Sequence, residues 1–233
     1  MAKKQDEEYM DLWEMNPVWE ALTRDEREYI NRHIQICHYR KNEVIHLEGD
    51  VPTHMMMLVS GKLRVYKEGV GNKVQIIRML KPYDLFAFRA LIAGETYNTS
   101  VSAFEQATVI KVAKDPFLHL IQTNNLFCYR FMVEMARDLG RSDARMVNLT
   151  SKHIRGRLAE ALLQLKENYG LDEDGATISM YMSREDLANL SNMTTANAIR
   201  TLSQFQNEGM VSIDGRKVKI LNAAELIHTS QLG

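Results

Sequence analysis

Residues 183–205 read SREDLANLSNMTTANAIRTLSQF, a run that contains two short amphipathic segments. The first segment opens with Ser183-Arg-Glu-Asp186, which has the form of a helix capping box. The second begins at Thr194, whose hydroxyl suits a helix cap, and ends at Phe205. Apolar residues recur on one face of each segment: Leu187, Ala188, Leu190, Ala198, Leu202 and Phe205. The run therefore predicts two helices joined by a tight turn at Asn192-Met193.

The outward face of the second predicted helix is polar, and no acidic residue lies at its start. It presents Thr195, Asn197 and Arg200. Arginine pairs with guanine and asparagine with adenine through two hydrogen bonds, so this face suits base edges in the major groove.

Residues 206–221 follow as two short predicted strands around Asp214-Gly215, which is a strong hairpin signal. Arg216, Lys217 and Lys219 make this hairpin basic, as contact with phosphates requires. Helix, turn, helix and basic hairpin together predict a winged helix that binds double-stranded DNA. The alternative is a winged helix that binds another partner. The residues predicted to contact DNA are Ser183, Thr194, Thr195, Asn197, Arg200, Arg216 and Lys217.

Residues 125–153 contain no proline and a single glycine, Gly140, as a long helix requires. Residues spaced alternately four and three apart form a seam along it: Cys128, Met132, Met135, Leu139, Ser142, Met146, Leu149 and His153. A heptad seam of this regularity favours a two-stranded dimer interface. The alternative is a helix packed on its own domain. Thr150 and Ser151 are expected to cap the next helix, so that residues 150–156 form a hinge.

Apolar and polar residues alternate from residue 36 to about residue 113, and turn formers such as Gly69-Val-Gly-Asn72 divide the runs. This texture predicts an antiparallel β-roll or sandwich. We expect an α+β chain of three domains. They are a β-roll sensor domain with an N-terminal helix capped at Thr23 (1–124), a dimerisation helix and hinge (125–153), and a winged helix-turn-helix domain (154–233). A further short strand is predicted at 177–182.

The formal net charge is −1, so any affinity for nucleic acid must come from local charge. Two cysteines, Cys37 and Cys128, argue against a disulfide-built secreted scaffold. The first residues, MAKKQDEE, lack the apolar core of a signal peptide, and no apolar run approaches the roughly 18 residues of a membrane span. We expect a cytoplasmic protein without membrane contact.

The order of these motifs resembles the cyclic-AMP receptor and fumarate–nitrate regulator (Crp/Fnr) family of bacterial transcription regulators, over about residues 20–222. The matching stretches include Glu48-Gly-Asp50, Val59-Ser-Gly-Lys-Leu-Arg-Val65, Leu80-Lys-Pro-Tyr-Asp-Leu-Phe86, Met135-Ala-Arg-Asp-Leu139, Gly156-Arg-Leu-Ala159 and Ser183-Arg-Glu-Asp-Leu-Ala188. The resemblance implies a homodimer with a cyclic-nucleotide-binding-like jelly roll that senses a signal. It also implies an inverted-repeat DNA site and RNA polymerase as a partner.

The sequence departs from that family in the ligand pocket. Members that bind cyclic AMP hold its phosphate and ribose with a Gly-Glu pair and a later Arg-Ser or Arg-Thr pair. Ala87-Phe88 and Asn98-Thr99 stand at those positions here, and asparagine cannot replace the charged fork of arginine on a phosphate. We therefore predict that cyclic AMP is not the effector, with Arg89 as the candidate substitute arginine. The candidate pocket residues are Phe86, Ala87, Phe88, Arg89, Asn98, Thr99 and Ser142.

Other ligands and another class of protein stay open as alternatives. An iron–sulfur cluster needs four cysteine ligands, and two are present. Haem is an alternative effector, because seven histidines and two cysteines offer axial ligands. A cupin-like metal enzyme would use His46 and Glu48, but no His-x-His pair accompanies them, so we expect no metal site and no catalytic residues. A ligand-independent regulator would fill its pocket with apolar side chains: Phe86, Phe88, Leu91 and Ile92.

Overall fold

The structure is a computed structural model that describes residues 16–69, 71 and 73–232. The chain divides into two units. The first runs to Lys67 and resumes from Arg78 to Gly140, and the second comprises Glu68–Ile77 and the chain from Arg141 onward. The turn predicted at Gly69–Asn72 includes Val70 and Asn72, which, like residues 1–15, lie outside the described residues.

Eight strands of the described chain form two four-stranded sheets, with the strand orders β1-β8-β3-β6 and β2-β7-β4-β5. The pairs β1–β8, β3–β8, β2–β7 and β4–β7 are antiparallel, as the alternating sequence predicts. The strands are β1 (Ile34–Tyr39), β2 (Val44–His46), β3 (His54–Ser60), β4 (Leu63–Glu68), β5 (Val74–Leu80), β6 (Leu85–Phe86), β7 (Ser100–Ala103) and β8 (Ala107–Ala113).

Within the described residues, one 3-10 turn (Trp19–Ala21) and four α-helices accompany these strands: α1 (Arg24–Asn31), α2 (Phe88–Ala93), α3 (Lys114–Thr123) and the long α4 (Asn125–Ser151). The capping box predicted at Thr23 is confirmed, because its hydroxyl accepts from the Glu26 amide and the Glu26 carboxylate accepts from the Thr23 amide. Asn124 separates α3 from α4, and its side chain accepts from the Phe127 amide at the start of α4. Local hydrogen bonds therefore set both helix starts.

Alternation along β3 separates the two faces of its sheet. Met55 and Met57 join an apolar core with Trp19, Phe117 and the α4 residues Phe127 and Phe131. Met56 pairs with Phe86 across the sheet, and both are buried on the face turned away from that core. This sheet is therefore buried on both faces, which explains why β3 reads as an almost continuous apolar run.

The end of α4 differs from the prediction. Thr150 and Ser151 still belong to α4, which ends at Ser151, and their hydroxyls donate to backbone carbonyls one turn earlier in the same helix. The next helix instead takes His153 as its N-cap residue, without a side-chain hydrogen bond. The predictions of Thr150 and Ser151 as caps and of His153 as a seam residue within the helix are therefore wrong. Serine and threonine hydroxyls satisfy preceding carbonyls as readily as following amides.

The rest of the second unit consists of helices around a two-stranded hairpin. Its elements are α5 (Ile154–Tyr169), α6 (Arg184–Leu190), α7 (Thr195–Asn207), β9 (Val211–Asp214), β10 (Lys217–Ile220) and α8 (Ala223–Leu232). The strand predicted at 177–182 is wrong, since only isolated bridges at Thr177 and Ile178 form there. The α+β fold class and the winged helix-turn-helix are confirmed.

Candidate nucleic-acid interface and sensor pocket

The first helix of the helix-turn-helix, α6, begins as predicted. The Ser183 hydroxyl accepts from the Asp186 amide at 3.0 Å, and the Asp186 carboxylate accepts from the Ser183 amide at 3.3 Å. Leu187, Ala188 and Leu190 are buried. The capping box and the apolar face together fix where α6 starts and which side faces the core.

The turn after α6 is held by an arginine that sequence reasoning missed. Asn192 takes a left-handed backbone conformation, with φ of 49°. Arg157, on α5, donates from Nε to the Ser191 carbonyl at 3.0 Å and from Nη2 to the Asn192 carbonyl at 3.2 Å. These carbonyls have no partner within α6, so the guanidinium stabilises its C-terminal end. The Gly156-Arg-Leu-Ala159 stretch matches the family pattern and contains this arginine. Its role could not be read from the stretch, because its partners Ser191 and Asn192 lie more than 30 residues further along the chain.

The recognition helix α7 carries the predicted polar face. Thr194 is its N-cap and accepts from the Asn197 amide at 3.2 Å, and the first turn holds no acidic residue. Thr195 and Arg200 are exposed, and Asn197 is half-buried. The Arg200 Nη2 donates to the Asn197 Oδ1 at 2.7 Å. The two predicted base-reading side chains therefore lie side by side and form one polar unit.

The wing is the β9–β10 hairpin, closed by Gly215 with φ of 55°. Arg216 and Lys217 are exposed at its tip, as expected for phosphate contacts. Lys217 Nζ lies 5.3 Å from the ring centroid of Tyr181, a contact that sequence reasoning missed.

An acidic turn holds a second wing lysine. Lys219 Nζ lies 3.2 Å from the Asp174 carboxylate. Backbone amides of Thr177 and Ala176 donate to Asp174 and hold the pKa of its carboxyl far below the usual range. Asp174 is therefore ionised at neutral pH and pairs with Lys219 as a charged group.

The predicted pocket residues are spread over several surroundings. Phe88 is buried in the apolar core that contains Met55 and Met57, and its ring packs edge to face on that of Phe131, with centroids 5.4 Å apart. Phe86 is instead buried on the opposite face of the sheet. Leu91 shares the core of Phe88, and Ile92 is 37% exposed. The idea that these four apolar side chains fill one pocket together is therefore wrong.

The polar members of the predicted pocket differ in their surroundings. Arg89 Nη1 donates to the Glu95 carboxylate at 2.9 Å, and Asn98 is exposed. Ser142 is exposed and belongs to the second unit. Ala87 has φ of 65°, a left-handed conformation that favours glycine. This conformation gives a physical reason for the glycine that cyclic-AMP-binding relatives place there.

His46 lies in a buried ring-stacking contact that the sequence did not indicate. Its ring stacks on Tyr97 with centroids 3.8 Å apart, and both side chains are more than nine-tenths buried. Burial lowers the pKa of His46 to about 4 and raises the pKa of Tyr97 to about 12. Asp50 acts to raise the pKa of His46 and Lys111 to lower it, both less than burial does. His46 is therefore neutral at pH 7.

Protonation of His46 should destabilise the first unit. The folded pKa of about 4 lies below the unfolded value of 6.5, so the stability present above pH 6.5 is lost as pH falls towards 4. We expect wild type to lose about 2–3 kcal/mol more than His46→Phe between pH 7 and pH 4.5. Urea unfolding of both proteins at both pH values measures this difference. Parallel losses in the two proteins would contradict it.

His46 and Glu48, the pair expected of a metal enzyme, do not converge. Glu48 accepts from Lys67 Nζ at 2.7 Å, while His46 stacks on Tyr97. Across residues 16–69, 71 and 73–232, no three histidine, cysteine, aspartate or glutamate side chains cluster closely enough to hold a metal ion. In the same described part of the chain, no helix combines the length and the apolar character needed to cross a membrane.

Two family models match the chain. One describes a cyclic nucleotide-binding domain and matches residues 36–124, and the other describes a Crp-like helix-turn-helix domain and matches residues 156–229. The chain belongs to the Crp/Fnr family. This Crp/Fnr protein is a transcription regulator with a DNA-binding helix-turn-helix.

Similar Crp/Fnr proteins span most of the chain. The cyclic AMP receptor protein of Thermus thermophilus is 24% identical over 211 residues, which cover 91% of this chain and 95% of that protein. The nitrogen fixation regulation protein FixK of Bradyrhizobium diazoefficiens is 25% identical over 208 residues, which cover 89% of this chain and 85% of that protein.

Solved structures share the fold. FixK2 from Bradyrhizobium japonicum has a TM-score of 0.75 at 23% identity and covers 84% of this chain and 96% of its own. A crp/fnr family regulator from Eubacterium rectale has a TM-score of 0.77 at 18% identity, with coverages of 94% and 99%. At these identities the likeness establishes the architecture alone.

Arg200 offers a direct test of the DNA interface. Arg200→Ala should weaken binding to the protein's DNA site, as obtained by selection of genomic fragments, by about 1–3 kcal/mol. It should also relax the base preference at one position. The variant also frees Asn197, so preference at a neighbouring position should change as well. Fluorescence anisotropy on a panel of single-base operator variants measures both effects. Gln206→Ala, exposed near the other end of α7, is the matched control. Unchanged affinity and preference in Arg200→Ala would show that α7 does not read bases.

Proposed function

We propose that this Crp/Fnr regulator acts as a homodimer that binds an inverted repeat and does not use cyclic AMP as its effector. One observation carries the DNA half of the proposal: the acid-free start of α7 presents Thr195 and the paired Asn197 and Arg200, and the tip of the wing is basic and exposed. Side chains of this kind at the start of a recognition helix match base edges in the major groove.

The seam on α4 supports the dimer. Met132, Leu139 and Met146 are spaced seven residues apart and are 54%, 63% and 64% exposed. Large apolar side chains in a row on an exposed helix face are typical of an interface that a second chain covers. Cys128, Met135 and Leu149 flank them and are half-buried, and Ser142 is the exposed polar member of the seam.

A dimer of this kind defines the expected DNA site. Two recognition helices related by a twofold axis read two half-sites about 34 Å apart, one helical turn of DNA. The operator should therefore be an inverted repeat. Positive and negative residues nearly balance in the DNA-binding domain, so one domain should bind DNA weakly. Two linked domains in a dimer raise the overall affinity for DNA.

The altered pocket supports a lost response to cyclic AMP. Phe88 is buried in the apolar core, Asn98 is exposed and uncharged, and Arg89 is engaged by Glu95. A cyclic phosphate would find no free guanidinium among the candidate pocket residues. Haem or another small molecule is the alternative effector, and regulation without any ligand is the other alternative.

Each predicted domain has its own function in this proposal. Residues 1–124 would sense the signal, residues 125–153 would dimerise and residues 154–233 would bind DNA. RNA polymerase is the expected partner from the family resemblance, and the cytoplasm is the expected location because the regulator must reach DNA.

Selection of genomic fragments by the purified protein, with and without cyclic AMP, tests this function. An inverted repeat enriched equally in both conditions is the expected result. Enrichment only with cyclic AMP would leave the DNA-binding function intact and refute the altered pocket. No enriched repeat in either condition would favour the alternatives, namely that DNA binding needs another effector such as haem or that the winged helix binds another partner.

A further inference from the structure

Arg145, on the last part of α4, donates to two backbone segments that are distant in sequence. Its Nη2 lies 2.7 Å from the Ile76 carbonyl of β5 and 3.2 Å from the Leu190 carbonyl at the end of α6. All three residues belong to the second unit. One guanidinium thus bonds the long helix to strand β5 and to the helix-turn-helix.

Partial burial of the Arg145 guanidinium carries an unfavourable desolvation free energy. Arg145 is half-buried, and its Nε atom is buried without a hydrogen-bond partner among the described residues. Within the described residues, no carboxylate lies at ion-pair distance from it, and burial lowers the pKa of its guanidinium. A buried charge without a counter-charge destabilises a fold unless dipoles compensate it. The two carbonyls supply those dipoles, and the Leu190 carbonyl adds the negative end of the α6 helix dipole.

Arg145 does not act alone on this turn. Arg157 donates to the next two carbonyls, those of Ser191 and Asn192, and also to the Lys152 carbonyl at 3.2 Å in the link between α4 and α5. Three consecutive carbonyls of the turn are therefore held from two sides. Arg157 holds the turn to α5, within the DNA-binding domain, whereas Arg145 holds it to α4.

We infer that Arg145 is a positioning residue that fixes the helix-turn-helix against the part of α4 after Gly140 and against residues 74–77, all within the second unit, so that the two recognition helices of the dimer keep a constant separation. The inference rests on the proposed function, because α4 carries the proposed dimer seam. The turn that Arg145 holds leads directly into α7. Rotation of the turn on α4 would therefore displace α7 relative to the twofold axis without altering its base-reading face.

This geometry predicts different effects on one half-site and on two. Binding of a single half-site needs an intact α6–α7 pair and wing, whereas an inverted repeat also needs the correct spacing of the two recognition helices. Arg145→Met removes the donors and keeps the volume. It should weaken binding to the full inverted repeat by on the order of tenfold and leave half-site binding unchanged. Arg145→Lys, with one ammonium for two carbonyls, should show a smaller loss of the same kind.

The experiment measures affinity for the full operator and for a half-site duplex, using the full-length chain. Arg137→Met is the matched control, because Arg137 lies on α4, is 61% exposed and, within the part of the chain that the structure describes, pairs only with Glu134 of its own helix. Hydrogen exchange adds a readout without DNA. Amides of residues 74–77 and 190–193 should exchange faster in Arg145→Met than in Arg137→Met.

The outcomes separate the two proposals. A loss confined to the full operator, with faster exchange at both segments, supports the inference. Equal losses on both DNAs would overturn it, because Arg145 would then support the helix-turn-helix fold itself, and unchanged binding and exchange would overturn it as well. If Arg145→Met does not fold, Arg145→Lys must show the selective loss or the inference fails. A wild-type protein without preference for the repeat over the half-site would overturn the proposed function, and this inference with it.

Discussion

Leu139→Glu is expected to convert the dimer into a monomer and to weaken binding to the inverted repeat by about 10²- to 10⁴-fold. Leu139 lies at the centre of the seam and is 63% exposed in the single chain. Glutamate at this exposed position should therefore change the folding stability of the isolated chain little. In a dimer, however, it places two like charges opposite each other in an apolar interface. Loss of the dimer removes the advantage of binding two linked half-sites.

Light scattering after gel filtration measures the oligomeric state, and fluorescence anisotropy on the full operator measures the affinity. Arg137→Glu is the matched control, because Arg137 is exposed on the same helix but outside the seam. It should remain dimeric and keep wild-type affinity within about threefold, as expected of a surface substitution. A dimeric Leu139→Glu protein with wild-type affinity would contradict the seam as the interface and favour a helix packed on its own domain.

Phe131→Ala is expected to destabilise the first unit by about 3–5 kcal/mol. Phe131 is 1% exposed and contacts three other phenylalanines, Phe88, Phe117 and Phe127, at centroid distances of 5.4, 5.2 and 5.0 Å. These rings come from α2, α3 and α4, so the substitution leaves a cavity where three helices meet. A loss of this size is a large fraction of the 5–15 kcal/mol by which a domain is typically stable.

Denaturation in guanidinium chloride, followed by tryptophan fluorescence, measures this loss. Trp19 is a suitable reporter because it is buried in the same core and lies 5.8 Å from Phe127. Val51→Ala is the control, since Val51 is 72% exposed and its substitution should stay within about 0.5 kcal/mol of wild type. A Phe131→Ala protein as stable as Val51→Ala would mean that this cluster does not hold α4 on the first unit.

The helix starts that were predicted correctly share a physical cause. Thr23, Ser183 and Thr194 each accept from a backbone amide three residues along the chain. The cap and its partner are then neighbours in sequence, so the short pattern contains nearly all of the interaction. Thr150 and Ser151 were mistaken for caps because the same hydroxyls bond equally well to preceding carbonyls, and continuation of α4 decides between the two.

The candidate DNA residues illustrate a similar limit. The sequence placed Asn197 and Arg200 on one outward face, because residues three apart are neighbours on a helix. It did not reveal that Lys217 meets Tyr181 or that Lys219 meets Asp174, since these pairs join separate segments. The sequence also suggested that Phe86 and Phe88 fill the ligand pocket together. In the structure the chain changes from β6 to α2 at Ala87, and the two rings lie on opposite faces of a sheet.

The sequence by itself determined the features that local periodicity and short-range hydrogen bonds control: the alternating strands, the long helix with its seam, the helix-turn-helix with its cap and the basic wing. Only the tertiary structure decided which distant groups meet. It buried His46 against Tyr97, brought Arg145 to the Ile76 and Leu190 carbonyls and placed Arg157 on the turn. An arginine in a helix reads as a surface residue in any pattern, because the carbonyls that hold it carry no side-chain signal and become its neighbours only when the chain folds.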